Sequence, residues 1–157
     1  MYYLDAAAWA ALGDNDRAAL LLRERLARPL LGKTMMTLMS SLLAIFDGNT
    51  RRAVDLMQNT EGIRDPEVLF YLARHYAMFD DLEGTVQMLR RAHLAGFWSS
   101  CALVNDPVFS TLRSHPEFQH KIREAELSES SARELLHQNV SLVTAQLFER
   151  VLHFPSQ

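Results

Sequence analysis

Cysteine is almost missing from this chain of 157 residues, since Cys101 is the only one. A single cysteine cannot form a disulfide within the chain, so the disulfide framework of small secreted domains is excluded. The apolar neighbours Ala102, Leu103 and Val104 predict that Cys101 is a small packed side chain and not a reactive thiol.

Long uncharged apolar runs are missing too. No stretch approaches the roughly 18 apolar residues that a membrane-spanning helix needs. The N-terminus has neither the basic region nor the apolar core of a signal peptide. We therefore expect no membrane insertion and a cytoplasmic location, or a periplasmic one if the chain is a fragment of a membrane-anchored regulator.

The chain also lacks an excess of basic charge. Its 16 basic residues are outnumbered by 19 acidic ones, for a formal net charge of −3. Phosphate-backbone binding needs a positive field, and the arginine pairs at 51–52 and 90–91 are interspersed with acidic residues, as on solvated helix faces. Nucleic acid is therefore not the expected partner.

No catalytic or metal-binding motif is visible. Phosphate loops, nucleophile elbows, dinucleotide fingerprints and His-Glu-x-x-His pairs are all missing. His115 and His120 are five residues apart with Pro116 between them, a spacing that does not place two ligands on one helical face. His75 is expected to be a partly exposed polar residue. We predict no catalytic residues, no metal, no cofactor and no enzymatic activity, and an enzyme with an unfamiliar site is the remaining alternative.

The hydrophobic pattern indicates an all-α fold. Strand-like alternation is nearly absent, whereas apolar residues recur at helical spacing, as at Leu69, Leu72 and Tyr76. Regular breaks divide the chain into six helices, and the short loops between them require antiparallel neighbours. The predicted hairpins pair helices 2–12 with 16–28, 33–46 with 50–59, and 66–79 with 82–95.

An internal repeat accompanies these hairpins. In each one a turn residue precedes a small residue by five positions. The pairs are Gly13 with Ala18, Gly48 with Ala53, and Asp80 with Thr85. The small residues are 35 and 32 positions apart, which brackets a period of about 34 residues.

The third unit resembles the tetratricopeptide repeat. Its matching positions are Leu69, Leu72, Ala73 and Tyr76 in the first helix and Leu89 and Ala92 in the second. The first unit matches in part, through Ala6, Trp9, Gly13, Ala18 and Leu22. The second unit is degenerate, because Leu38, Leu42 and Ile45 fit only with a register slip of one residue. The resemblance implies hairpins stacked in a right-handed superhelix that binds proteins.

A closing segment follows the third hairpin. Asp106 with Pro107 starts one predicted helix and Pro116 starts another near 117–126, which gives closing helices within 107–126 and a repeat domain over 1–127. This tail resembles the one that closes tetratricopeptide arrays in bacterial proteins, some of which carry kinase, cyclase or winged-helix output domains. The resemblance, over roughly residues 60–125, implies the regulatory or binding part of a larger bacterial protein.

The last segment, 128–157, predicts one further helix. Ser131 and Glu134 form a capping-box pattern, and the helix is expected to run to about residue 153. Its apolar stripe consists of Leu136, Val140, Val143, Leu147 and Val151. The stripe suits either a cap over the end of the array or a self-association helix that makes a homodimer.

A concave binding face is the predicted functional site. In a superhelix of hairpins the first helices line that face, and their residues outside the hairpin core point to the ligand. These residues are Glu67, Phe70, Arg74 and Ala77 in the third unit, Tyr3 in the first, and Met35 and Met39 in the second. Arginine and adaptable methionine suit a peptide or protein partner. Two alternatives stay open: the C-terminal helix covers this face, or a closed apolar pocket beneath that helix senses a small molecule.

Overall fold

The computed structural model describes residues 2–28, 32–58, 60 and 62–152, and side chains as far as Val140. Every regular element in this part of the chain is helical, which confirms the all-α prediction. The helices are α1 (Tyr2–Ala11), α2 (Asn15–Leu26), α3 (Lys33–Phe46), α4 (Thr50–Gln58), α5 (Pro66–Ala77), α6 (Leu82–Leu94), α7 (Ser100–Asn105) and α8 (Pro116–Leu152), with a 3₁₀ turn at Pro107–Phe109. The first six begin and end within two residues of the predicted positions.

The helices pack as consecutive hairpins. α1 packs on α2, α3 on α4, and α5 on α6, while α2 with α3 and α3 with α5 join one hairpin to the next. α8 packs on α6 and α7, and the 3₁₀ turn packs on α5. The first helices α3 and α5 pack on each other, and residues of α1, α3 and α5 together line the candidate site.

The three hairpin turns share one hydrogen-bonding pattern. Gly13, Gly48 and Asp80 all have positive φ, at 85°, 70° and 58°. In each turn the next residue donates its N–H to the carbonyl five residues earlier, which is the helix-ending geometry that favours glycine. The side chain of that next residue then caps the second helix: Asp14 accepts from Arg17 N, Asn49 from Arg52 N, and Asp81 from Gly84 N.

This shared turn fixes the register of the second unit. Counting back from Gly13, Gly48 and Asp80 places Ala6, Ser41 and Ala73 at one position, and all three are fully buried. In the second unit, Ser41 therefore occupies the position that the small residues Ala6 and Ala73 occupy in the other two, without a slip of register. The hydroxyl of Ser41 hid this match, because a serine in a helix is not an obvious core residue.

The closing segment differs from the prediction. α7 was not predicted; Ser99 caps it by accepting a hydrogen bond from Ala102 N at 3.2 Å. Asp106 does cap a helical turn with Pro107 at its first position, but this is a short 3₁₀ turn. Cys101 is exposed, not packed, because it lies on the opposite side of α7 from the buried Leu103.

α8 is one continuous helix where the sequence predicted two. The break expected near residues 128–130 does not occur, because those polar side chains bond to other helices and do not start a new one. Glu129 accepts hydrogen bonds from N and Oγ of Ser100, both at 2.7 Å, and Ser128 Oγ lies 3.3 Å from His93 Nε2. Ser131 and Glu134 therefore lie inside a helix and do not form its capping box.

The first part of α8 covers the end of the hairpins. Phe118 and Ala125 are buried there, whereas residues 130–140 are all exposed. The capping role expected for 131–153 thus belongs, among the described side chains, to the earlier stretch 116–129. Val143, Leu147 and Val151 of the predicted stripe lie outside the described side chains.

Replacing Gly48 with alanine is expected to destabilise the fold. An added Cβ at this position meets no atom within 4 Å, so the cost arises from the positive φ alone. That cost is about 1 kcal/mol of unfolding free energy, measured by urea denaturation. Gly62→Ala is the control, because its Cβ also meets nothing and its φ is not positive. Equal losses in both variants would contradict the role of the turn.

Candidate functional site

A groove lies between the first helices of the three hairpins. Its volume is about 470 Å³, and α1, α3 and the start of α5 form most of its lining. The lining residues are Tyr2, Tyr3, Leu4, Arg25, Met35, Leu38, Met39, Asp65, Glu67, Val68 and Tyr71. The surface is mainly apolar and aromatic, and its three charged residues are Arg25, Asp65 and Glu67.

Four predicted site residues meet in this groove. Tyr3, Met35, Met39 and Glu67 all line it. Glu67 and Met35 are exposed, whereas Tyr3 and Met39 are buried with only part of their surface reaching the groove. Each of the three first helices therefore contributes at least one of the predicted residues to the groove.

Phe70 and Ala77 are not on an open surface, and the expectation that they face a ligand is corrected. Phe70 is buried, stacks on Phe97 at a centroid distance of 4.5 Å, and meets the edge of Phe109 at 5.9 Å. Ala77 is 3% exposed. The segment after α6 folds back over Phe70, so residues 97–109 include the cover of this side chain.

Arg74 is also occupied. Its Nε lies 2.7 Å from Oδ2 of Asp106, and both side chains are mostly buried. The ion pair joins α5 to the residue that caps the 3₁₀ turn. Arg74 therefore holds the closing segment in place and does not line the groove.

His75 is fully buried, which corrects the expectation that it is partly exposed. Its Nε2 lies 2.9 Å from Tyr3 Oη and its Nδ1 lies 2.9 Å from Ser41 Oγ. Ser41 donates its only proton to the carbonyl of Leu38 at 3.0 Å. It must therefore accept from Nδ1–H of His75, which leaves Nε2 to accept the Tyr3 hydroxyl proton.

The resulting chain of hydrogen bonds is neutral. Burial, with a smaller contribution from the neighbouring charge of Arg74, lowers the pKa of His75 to about 3. Burial also raises the pKa of Tyr3. Both groups are uncharged at neutral pH. The hydrogen bonds between Tyr3, His75 and Ser41 join α1, α3 and α5 behind the groove and hold the centre of the Tyr3 ring 4.8 Å from the centre of the Tyr71 ring.

The charged groups of the groove belong to different helices. Asp65 caps α5 by accepting hydrogen bonds from the N–H groups of Glu67 and Val68. Tyr71 donates its hydroxyl to Glu67 at 2.6 Å, and burial together with this bond raises the pKa of Tyr71 to about 12. Arg25 comes from α2, and its guanidinium lies 5.6 Å from the centre of the Tyr2 ring.

Sequence reasoning missed seven of the lining residues, which are Tyr2, Leu4, Arg25, Leu38, Asp65, Val68 and Tyr71. The available signal was the phase of α5: Tyr71 is four residues from Glu67 and shares its face, whereas Phe70 is turned by about 100°. The groove follows Glu67, Val68 and Tyr71. The predicted residues Phe70 and Arg74 lie on a different face of α5, which contacts the closing segment.

Among the described residues, no group of three or more His, Cys, Asp or Glu side chains is placed to hold a metal ion, and none of the described helices is long and apolar enough to cross a membrane. The cavity between α6, α7 and α8 has a volume of only about 20 Å³. That is the space of about one water molecule.

Comparisons with protein-family models, with curated proteins and with solved structures found no match to this chain.

Acidification is expected to weaken the fold through His75. The pKa of His75 is about 3 in the folded chain against 6.5 when unperturbed, so between these pH values the unfolded state binds more protons. The free energy of unfolding therefore decreases as the pH is lowered. The loss between about pH 7.5 and about pH 5 is about 2 kcal/mol, measured by urea unfolding. His75→Gln should be less stable at the higher pH and lack this part of the pH dependence. An equal loss in both proteins would contradict the assignment.

Proposed function

We propose that this chain is a tetratricopeptide-like repeat module that binds an apolar segment of a partner protein in the groove between α1, α3 and α5. It performs no catalysis of its own. The observation that carries the proposal is the lining of the groove, to which the first helix of each hairpin contributes. Repeat proteins whose hairpins stack in a superhelix bind their partners on a surface of this kind.

The right-handed stacking of the hairpins is part of the same proposal. It is supported by the three turns that share one hydrogen-bonding pattern, and by the fully buried small residues at equivalent positions. The packing of α3 on both α2 and α5 gives it further support. Close approach of neighbouring helices needs small residues at the crossing points, and Ala6, Ser41 and Ala73 provide them.

A protein segment fits the groove better than a small molecule does. The sensing alternative needs a closed apolar pocket beneath the final helix. Among the described residues, the apolar cavity there holds about one water, and the larger cleft of about 480 Å³ between α6 and α8 is open and lined mainly by charged side chains. The groove, by contrast, is open along three helices and includes the exposed Met35. Methionine adapts its shape to different apolar side chains, which suits recognition of a peptide or helix.

The wider context is also a proposal. We place the module in the cytoplasm as the regulatory or binding part of a larger bacterial protein. The support is the closing segment, where Asp106 and Pro107 start a helical turn and Pro116 starts α8, as in the tail it resembles.

Substitutions in the groove should abolish peptide binding. The probe is a displayed library of random peptides, selected on the intact chain. Leu4→Glu with Met35→Glu places two charges on exposed groove residues and should weaken the selected peptides at least tenfold, or about 1.4 kcal/mol, by fluorescence anisotropy.

The matched control is Leu12→Glu with Met36→Glu. Both of these residues are exposed, and neither lines the groove. This control should bind like the unchanged chain. Peptides that bind the groove variant and the control equally well would show that the groove is not the binding site.

A second proposal concerns α8, which we infer pairs with α8 of a second copy of the chain. Residues 130–140 are exposed, including Leu135 and Leu136, and the helix continues to Leu152. In the sequence, Leu136, Val140, Val143 and Leu147 follow the 4-3-4 spacing that lets identical helices interlock, and the flanking residues 137, 139, 144 and 146 carry no Lys, Arg, Asp or Glu.

Leu136→Glu should convert the dimer to a monomer. Like charges then face each other across the seam, and the body of the protein is untouched because this side chain is exposed. Sedimentation velocity gives the mass. Gln138→Glu, on the other side of the helix from Leu136, is the control and should remain dimeric. A monomeric unchanged chain at every concentration would refute the pairing.

A further inference from the structure

The three charged residues of the groove are not neutralised by one another. Within the described part of the chain, neither Arg25 nor Asp65 nor Glu67 forms an ion pair. Asp65 uses only Oδ1 to cap α5, and Glu67 uses only Oε1 for the Tyr71 hydroxyl. One oxygen of each carboxylate is therefore left without a hydrogen bond from the described residues, and both side chains are exposed at the groove.

The two carboxylates lie at the same end of the site. They are separated by one residue at the start of α5, and the ring of Tyr71 is joined to Glu67 by its hydroxyl. The Tyr3 ring lies against Tyr71 at 4.8 Å. Carboxylates beside aromatic rings recognise lysine and arginine side chains, because the carboxylate accepts hydrogen bonds and the ring face attracts the cation.

The positive end of the α5 dipole does not reverse this preference. A helix N-terminus carries roughly half a positive charge, whereas the two carboxylates together carry two negative charges. Among the groups that line the groove, the start of α5 therefore carries net negative charge, and the neighbouring Arg64 lines a different pocket. The single cation, Arg25, comes from another helix and leaves the lining with an excess of acidic charge.

We propose that the segment bound in the groove carries a basic side chain next to an apolar one. The basic group binds the free oxygens of Asp65 and Glu67 with its stem along Tyr71, and the apolar side chain packs on Met35 and Met39. This inference rests on the proposed function and adds the chemical class of the partner. Burial of the apolar side chain stabilises the complex, and the pair Asp65 and Glu67 favours segments with a basic side chain over other apolar segments.

The test compares peptide selections on the intact chain and on Asp65→Asn with Glu67→Gln. Asparagine keeps a side-chain oxygen to cap α5, so this variant should fold. On the intact chain, lysine or arginine should be enriched beside leucine, methionine or an aromatic residue, and on the variant this enrichment should vanish. Peptides from the first selection should bind the variant at least tenfold more weakly and lose most of their salt dependence.

The matched control makes the same chemical changes elsewhere. Asp55→Asn with Glu126→Gln alters exposed residues of α4 and α8 and should keep both the enrichment and the affinity. Peptides that require Leu4 and Met35 but show no basic preference would overturn this inference and leave the groove proposal standing. If no selected peptide depends on Leu4 and Met35, the proposed function fails as well.

Discussion

The buried hydrogen-bond chain from Tyr3 through His75 to Ser41 determines how the three first helices sit together. It joins residues 72 and 34 positions apart in sequence, and each of its donors and acceptors finds a partner. An unsatisfied buried polar group costs about 1 to 3 kcal/mol, so a shift of one helix relative to the others would break a bond and leave its partner unpaired. An apolar core alone would tolerate such a shift more easily, because dispersion contacts have little directionality. The neutral imidazole of His75 thus fixes the positions of α1, α3 and α5 relative to one another.

The groove follows from that arrangement. The hydroxyl of Tyr3 is held by His75, so its ring lies against Tyr71 and both rings line the groove. Farther along α5, Arg74 and Phe70 bind the closing segment, so that part of the helix is covered. The same helix therefore presents one face to the groove, one to the neighbouring hairpin and one to the closing segment. The groove is limited to the end where α5 begins.

The parts of the structure that depend on local geometry could be predicted from the sequence. Positive φ at a helix end favours glycine, and a capping side chain must follow it, so Gly13 and Gly48 marked their turns correctly and Asp80 marked the third. The parts that depend on distant partners could not be predicted. His75 looked like a surface residue because Tyr3 and Ser41, which satisfy it, lie on other hairpins. The continuity of α8 was hidden for the same reason, since the partners of Ser128 and Glu129 are His93 and Ser100.

The adjacent residues Phe70 and Tyr71 show that prediction from the sequence has the same limit within a single helix. On α5, hydrophobicity alone does not distinguish Phe70 from Tyr71, because both are aromatic and adjacent. Their roles are separated by what covers them: Phe97 and Phe109 enclose Phe70, whereas Tyr71 reaches the groove and bonds to Glu67. The tyrosine hydroxyl is the physical reason that Tyr71 lies at the groove. A phenol hydroxyl that leaves water needs a hydrogen-bond partner, and the open groove supplies both Glu67 and solvent. Phenylalanine has no such requirement, and its ring is most stable where the closing segment removes it from water.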